Sequence, residues 1–508
     1  MTLGGEAHTR YLIAISIGPV QDFISTARRS RDLWFGSWLL SELSKAAANR
    51  IADGDEKRLI FPAVNLADLK PAAKAEKPDG YFSVVNKITA VVETDNVPGL
   101  AEDVFDAMKE RLMNLRTAAF SRIERSQYFD SARANSQIDD LIEYYWAAVP
   151  LPDEKHYGAA REQAEALLIA RKNTRDFKSA EKWAQEGVPK SSLDGLRESV
   201  IRKAAYEELS DEKRRHKFET RPGERLCGVG LLKRLGNGED EEGFLSTSHL
   251  AAFPLLSNLR KEHSGAVAQY FEKLREIDKS AWSRVSGNGS STDHQRIADV
   301  FQRNNRPCDG RLLFEDRLAE YFEKKDTSRQ SKINAAKSAL REFLKDNLDN
   351  RKPFPYYALL LADGDRMGDA IKQLNSPDKH SELSAKLTAF AKSVRKIVET
   401  AHHGSLIYAG GDDVLAFVPV HHIVQSAKAL SDAFKKALSN GQEQTPTLSV
   451  GVAICHHLDP LSDALTLARE AEKEAKRFPR KNALCVKVDK RSGEPLLSSI
   501  GGANLMSA

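Results

Sequence analysis

Apolar residues fall in short unbroken runs near the two ends of the chain and in helical spacing over most of the rest. RYLIAISI, Arg10 to Ile17, is continuous rather than alternating, the pattern of a strand covered on both faces. Gly18 and Pro19 stop it. Phe23, Ile24, Ala27, Leu33, Trp34, Trp38 and Leu39 then share one broad face of a long helix. YFSVVNKITAVVE, from Tyr81 to Glu93, and YYWAAVPL, from Tyr144 to Leu151, read as two more strands. A helix rich in both charges lies between them, over about Gly99 to Thr117. Residues 1–152 therefore predict a unit of mixed helix and strand.

From 153 to 352 the chain is highly charged, mostly helical by period and broken by loops. SGNGSSTDHQR, from Ser286 to Arg296, has the composition of a flexible connector. This stretch reads as a helical domain inserted between two others. A new unit starts at Pro353. YYALLLAD is a buried strand, and DGDRMGDAIKQL turns into a helix. SELSAKLTAFAKSVRKIVETA is amphipathic, SLIYAGGDDVLAFVPV a hairpin, and HHIVQSAKALSDAFKKALSN a helix. TLSVGVAICHH is a strand. PLSDALTLAREAEKEAKRF has Pro460 and Asp463 at a helix start, and NALCVKVDK is the last strand. The order β-α-ββ-α-β-α-β over 353–508 predicts a ferredoxin-like palm with its helices on one face. The fold class expected is α+β: two palm domains, the first non-catalytic, with the helical insertion between them. No internal sequence repeat marks the first unit as a copy of the second.

Composition narrows this only a little. At 508 residues the chain is too long for one ordinary core. With 41% hydrophobic and 29% charged residues it is globular rather than disordered. The formal net charge of +4 is mild for this length, so any surface for nucleic acid must be local. The four cysteines, Cys227, Cys308, Cys455 and Cys485, form no C-x-x-C, and a reducing interior is expected. MTLGGEAHTR has no apolar secretion core, and no run reaches membrane-spanning length. A cytoplasmic protein without membrane contact is the expectation.

The chemistry concentrates in the last unit. LIYAGGDDVLAFVP places Asp412 and Asp413 in a hairpin turn after Gly410 and Gly411, which permit positive φ and a close backbone approach. LLLADGDRMG places Asp363 and Asp365 where a strand hands over to a helix. In a palm these two strand regions are neighbours. Carboxylates packed together repel one another unless a cation offsets the charge. Hard oxygen ligands suit Mg²⁺ or Mn²⁺, and two such ions serve phosphoryl transfer. N–H groups of the helix after Asp365 would hold a triphosphate. The implied reaction is attack of a ribose hydroxyl on the α-phosphate of a nucleotide, with pyrophosphate leaving. Either motif alone is ordinary turn sequence. Their combination, each at a strand end, carries the reading.

SIGPVQDFISTARRSRDLWFGSWLLSEL, LLLADGDRMGDAI, YAGGDDVLAFVP and AREAEKEAK with KNALCVKVDKRSGE together resemble the large polymerase-like subunit of type III-B (Cmr-type) CRISPR effector complexes. The resemblance implies two facing palms and synthesis of cyclic oligoadenylate from ATP when the complex binds target RNA. It implies guide RNA, target RNA and other subunits as partners. Asp363 and Asp365 match the family's metal site, and Gly410, Gly411, Asp412 and Asp413 match its GGDD. Lys476 matches a lysine that contacts the triphosphate, against the plainer reading of a solvated helix lysine beside Lys473 and Arg477.

The chain also departs from the family. No His-Asp dipeptide occurs among its 13 histidines, so DNA cleavage is not expected. The pairs His402-His403 and His456-His457 read as structural or surface residues. Where relatives pair cysteines for zinc, Cys227 is followed by Gly230, and Ser191 and Asp194 stand upstream. One thiolate does not make a four-ligand site, so no zinc is expected and Cys227 reads as a small buried hydrophobe. The chain ends soon after KRSGEP, so the family's C-terminal helical domain is not expected here. The basic runs Lys213–Lys217 and Arg303–Pro307 are candidates for RNA phosphate contacts, against the plainer reading of solvated helix faces. Two rivals remain: a catalytically silent scaffold that positions RNA and neighbouring subunits, and transfer of AMP to an acceptor other than ATP. A diguanylate cyclase fits less well, because Asp413 and Val414 replace the Glu and Phe expected after GGD.

Overall fold

The continuous run at Arg10 becomes β1 (Arg10–Gly18), and its neighbours explain why it is apolar throughout. In the computed structural model β1 lies inside a sheet with β2 (Leu59–Phe61), β3 (Lys87–Glu93) and β4 (Glu143–Pro150), in the order β2-β3-β1-β4. All neighbours are antiparallel, with Ile13 opposite both Ala90 and Ala148. Successive side chains of a strand point to opposite faces. Ile13, Ile15 and Ile17 pack in one core with α2 (Ser30–Ala52) and α3 (Val97–Phe120), which follow the short α1 (Gln21–Ser25). Leu12 and Ala14 pack in a second core against α5 (Tyr157–Asn173), which follows α4 (Ser131–Asp139). Described are residues 9–75, 81–174, 186–236, 246–256, 264–279, 310–322, 326–439, 446–491 and 493–501; the connector at 286–296 and the basic run at 303–307 lie outside them.

The strand expected over Tyr81–Glu93 is only half a strand. Ladder pairing begins at Lys87, because the backbone before it is engaged elsewhere. The Ser83 N–H donates to the Ala409 carbonyl of the last unit, and the Val84 N–H donates to Ser41 Oγ on α2. The three residues of β2 had no periodic signal to betray them.

The middle of the chain carries the helices α6 (Ala204–Glu208), α7 (Asp211–Phe218), α8 (Gly228–Leu235), α9 (Thr247–Leu256), α10 (Ser264–Ile277) and α11 (Arg329–Leu348), with turns and isolated β-bridges over 186–203. Cys227 is buried at the start of α8. Its Sγ accepts from the Gly230 N–H at 3.3 Å and lies 3.4 Å from Asp194 Oδ2. Burial, and then the Asp194 charge, push its thiol up to about 11. Two turns on, Arg234 is wholly buried. Its guanidinium donates to Asp32 on α2 at 2.9–3.1 Å and to Glu224 at 2.9 and 3.2 Å.

The last unit holds β5 (Tyr356–Gly364), β6 (Ser405–Gly410), β7 (Asp413–Val418), β8 (Leu448–His456), β9 (Ala483–Val488) and β10 (Leu496–Gly501), ordered β10-β9-β8-β5-β7-β6. The four strands β8-β5-β7-β6 run fourth, first, third, second in chain order, as the four of the first sheet do. The repeat that the residues did not show is present in the topology. Its helices are α12 (Met367–Lys372), α13 (Pro377–Arg395), α14 (Ile423–Leu438) and α15 (Leu461–Arg477). Helices on one face were expected. Yet Tyr357, Ala358, Leu359 and Leu360 are all buried, so both faces of β5 are covered, with α9 among the elements against it. β9 joins parallel to β8 through α15, and β10 adds an edge hairpin that was not anticipated.

The two units are locked together. Helix α2 is buried on nearly every side, which a single sheet does not achieve; it touches β6 as well as the first sheet. Lys392 pairs with Asp68 at 2.8 Å, and the Ala63 N–H donates to Ser384 Oγ at 2.7 Å. The buried Arg161 of α5 donates to the carbonyls of Ile371, Leu374 and Lys372, closing the C-terminal end of α12.

Replacing Arg234 strands two buried carboxylates. Arg234→Ala is expected to cost about 3–5 kcal/mol, lowering the urea midpoint. Arg341→Ala, which opens a surface pair with Glu315, is expected to leave it nearly unchanged.

Candidate functional site

β5 and β7 are hydrogen-bonded neighbours, with Ala362 opposite Val414. The next residues toward the strand ends are Asp363 on β5 and Asp413 on β7, so the ladder itself sets two carboxylates side by side. The β6–β7 hairpin pairs Gly410 with Asp413 and leaves Gly411 and Asp412 as a two-residue turn. Gly411 takes φ +63°, at the first turn position where II′ hairpins carry glycine. Gly364, which the sequence reading passed over, lies under Asp412. A Cβ there would stand 2.7 Å from Asp412 Oδ2 and 2.8 Å from its Cβ, so only glycine lets the turn close onto β5.

The electrostatics follow from this crowding. Loss of surrounding water, and then the charge of Asp363, raise the Asp412 carboxyl to about 6. Asp413 is raised well above the usual carboxylate range by the same loss of water and by Asp412 and Asp363. Asp413 still presents an exposed surface, which leaves the cluster open to solvent on one side. Lys476, on α15, bonds Asp363 Oδ2 and lies 3.1 Å from Glu472 Oε1. Burial works against its charge, but the bond and charge of Asp363, with Glu472, outweigh it and raise its pKa. Lys476 is therefore not a freely solvated helix lysine. Glu472 was legible as the residue one turn before it on the same helix face. α15 reaches this position because Gly451 of β8 has no side chain: a Cβ would collide with the Glu472 backbone.

Asp365 is placed differently from the other three. It is buried, and its oxygens accept from Thr447 Oγ1 at 2.8 Å, from Ser449 Oγ at 2.8 and 3.0 Å, and from the Asn482 N–H at 2.9 Å. It ties the end of β5 to the segment before β8 and to the Lys481–Asn482 turn, where both residues take left-handed φ near 50°. The site therefore gathers Asp363, Asp412, Asp413, Glu472 and Lys476, with Asp365 behind them as a brace. The helix after Asp365, α12, has six residues. Among the described residues no three or more histidine, cysteine, aspartate or glutamate side chains are grouped so that they could by themselves hold a metal ion. One or two carboxylates are what Mg²⁺ uses when substrate phosphates and water complete its shell.

The first unit reaches the turn. At Gly410 the space a Cβ would need is taken by Tyr408 Oη and by the Ser83 carbonyl, and at Gly411 the nearest atom is Cγ1 of Val85, 3.3 Å away. The glycines thus let the Tyr81–Val85 segment of the first unit lie against the GGDD turn. Sequence reasoning missed this because it needs two units to be seen together. The histidine pairs lie elsewhere. His457 is buried, bonded to Ser248 Oγ at 2.9 Å and stacked on Phe314. His402 and His403 meet His421 and His422 at the other ends of β6 and β7.

Comparisons with known proteins agree with this layout. Residues 356–485 match the family model described as Cas10/Cmr2, second palm domain, and residues 12–117 match CRISPR-associated protein Cmr2, N-terminal. The CRISPR system Cmr subunit Cmr2 of Pyrococcus furiosus is 25% identical over 563 residues, covering 96% of this chain. The chain spans 62% of that relative's length. Among solved structures, the type III-B Cmr-beta complex in its apo state contains a chain with TM-score 0.66, and Cmr-beta bound to cognate target RNA contains one with TM-score 0.65. Both are 16% identical, cover 98% and 97% of this chain and are themselves covered over 71%; at that identity they speak for the fold. The two family models are met in order, one in each palm, and with the Pyrococcus relative they support a large subunit of the type III-B Cmr2 kind.

Proposed function

We propose that the chain is a nucleotidyltransferase that makes a cyclic oligoadenylate-type messenger from ATP, inside a multisubunit effector complex carrying guide RNA and responding to target RNA. The observation that carries this is the convergence of Asp363, Asp412 and Asp413 at paired strand ends, with Lys476 bridging to them. The RNA partners rest on the solved Cmr-beta relative bound to cognate target RNA. In the reaction a ribose hydroxyl of one nucleotide forms a bond to the α-phosphorus of another, and the bond to pyrophosphate breaks.

Asp363, Asp412 and Asp413 fit Mg²⁺ or Mn²⁺, since they supply hard oxygens whose mutual repulsion a cation relieves. Such an ion supplies activation of the hydroxyl and neutralisation of the leaving charge. The protein does the rest. Lys476 is poised to leave Asp363 for the triphosphate, where a charged hydrogen bond is strong. The GGDD turn, held by Gly364 and by Ser83 of the first unit, keeps Asp412 and Asp413 fixed while the nucleotide binds. Asp365 holds the strand end and the Lys481–Asn482 turn still.

The test is ATP turnover by the chain assembled with guide RNA, partner subunits and matched target RNA, with mass spectrometry of the product. Target-dependent pyrophosphate and oligoadenylate are expected, falling to background in Asp412→Asn/Asp413→Asn. An adenylate joined to another acceptor would redirect the reading to AMP transfer. No turnover by an assembly that still binds target would leave a scaffold.

Three further outcomes follow from the geometry. Asp365→Asn weakens the brace and is expected to lower activity about 10- to 100-fold, without changing the product. Lys476→Met removes a charged hydrogen bond of about 1.5–3 kcal/mol and is expected to raise KM for ATP at least tenfold. The third concerns pH. A carboxyl raised in the folded state stabilises below its unfolded pKa, and that contribution fades as pH rises through the folded value, about 6 for Asp412. Without divalent cation, the melting temperature of Asp412→Asn is expected to exceed the parent's at pH 7.5 and to match it more closely at pH 4. Mn²⁺ at pH 7.5 is expected to raise the parent's melting temperature and leave the variant's nearly unchanged. Equal responses in a cation titration would remove Asp412 from the site.

A further inference from the structure

Far along the sequence from the catalytic cluster, the C-terminal end of α3, the turn after it and α7 enclose two adjoining concavities of about 610 and 500 Å³. They share Arg122 and Lys217 and so form one groove. Five cationic side chains line it, Arg116, Arg122, Arg125, Lys213 and Lys217, against two carboxylates, Glu124 and Glu212. That local excess of three stands on a chain whose whole formal charge is +4.

The cations divide into two sets. Arg116 is held by Glu124 at 2.9 Å, and Arg122 lies 3.1 Å from Glu219, so these two are fixed walls of the groove. Arg125, Lys213 and Lys217 pair with no carboxylate among the described residues; Lys217 instead lies 5.4 Å from the ring centre of Tyr128. Helix ends attract solvated cations by their dipoles, which would account for charge on α7 alone. It does not account for Arg125 and Lys217, from elements about 90 residues apart, meeting across one concave surface. The basic run Lys213–Lys217 is also not a uniform solvated face. Arg214 is buried, bonded to Asp211 and to the carbonyls of Ala205 and Leu209, and it orients α7 so that Lys213 and Lys217, one turn apart, both border the groove.

We infer that this groove binds the phosphate backbone of a single-stranded RNA, with Arg125, Lys213 and Lys217 as the phosphate contacts. A positively charged groove follows the backbone of a strand without reading its bases. The inference shares with the proposed function only the expectation that the assembly carries RNA.

The test is fluorescence anisotropy of a labelled 20-nucleotide single-stranded RNA against the full chain, without nucleotide or divalent cation, over a range of NaCl. Arg125→Ala/Lys213→Ala/Lys217→Ala is expected to weaken binding about 100-fold at 0.1 M salt and to make the slope of log K against log salt shallower by about 2, at ~0.7 per phosphate contact for three contacts. The melting temperature is expected to stay the same, and Lys345→Glu, exposed on α11, is expected to leave binding unchanged. Unchanged affinity and slope in the triple variant would overturn the inference. So would a polyglutamate of matched charge that binds the groove more tightly than RNA, which would mark a surface for an acidic protein. No catalysis is read, so this result and the turnover assay fail independently.

Discussion

Negative charge held together by a β-ladder is the constraint on which the rest of the site depends. Asp363 and Asp413 stand at adjoining strand ends because β5 and β7 pair in one register, and a slip of one residue would turn one of them to the opposite face. The hairpin then adds Asp412. Nothing local favours this concentration of carboxylates, as the raised pKa values of Asp412 and Asp413 show. Its surroundings are arranged to tolerate it. Gly364 gives Asp412 room, Gly451 lets α15 come close, and α15 brings Lys476 to Asp363. The buried Asp365 spends its oxygens on Thr447, Ser449 and Asn482 and so adds rigidity rather than a further solvent-facing charge.

A second level of restraint comes from the first unit. Ser83 reaches Ala409 through the backbone, Arg161 closes α12, and α2 fills the space between the two sheets. These contacts bear on the elements that carry the carboxylates: β6 leads into the turn, and α12 follows β5. The first palm thus acts as a wall against which the carboxylate cluster is built. Its own sheet has kept the strand order of a palm with no matching acidic ends.

Much of this was legible in the residues. The order of elements in the last unit and the paired D-G-D and G-G-D-D strand ends could be read from local pattern, because apolar period and turn chemistry are local properties; the lysine on the late helix came only with the resemblance. The role of Asp365 could not, since Thr447, Ser449 and Asn482 lie more than 80 residues away. The first palm was legible mainly as a resemblance. Its three-residue β2 carries no periodic signal, and half of its expected second strand serves the neighbouring unit. The cover on the second face of β5 was hidden for a related reason. A strand covered on both sides is continuously apolar whatever covers it, so the pattern of YYALLLAD could not say that α9 lies there too.

The Ser83–Ala409 backbone bond has one more consequence. β6 is the outer strand of the six-stranded sheet, and Leu406, Ile407 and Ala409 are wholly buried there. An outer strand with free N–H and C=O groups and apolar side chains is a template for pairing with another chain. The first unit covers that edge near the turn. A palm cut away at residue 353 would bare it, and two such fragments would meet strand to strand at the very hairpin that carries Asp412 and Asp413. The two-palm arrangement therefore guards the carboxylate-bearing sheet against self-association as well as shaping it.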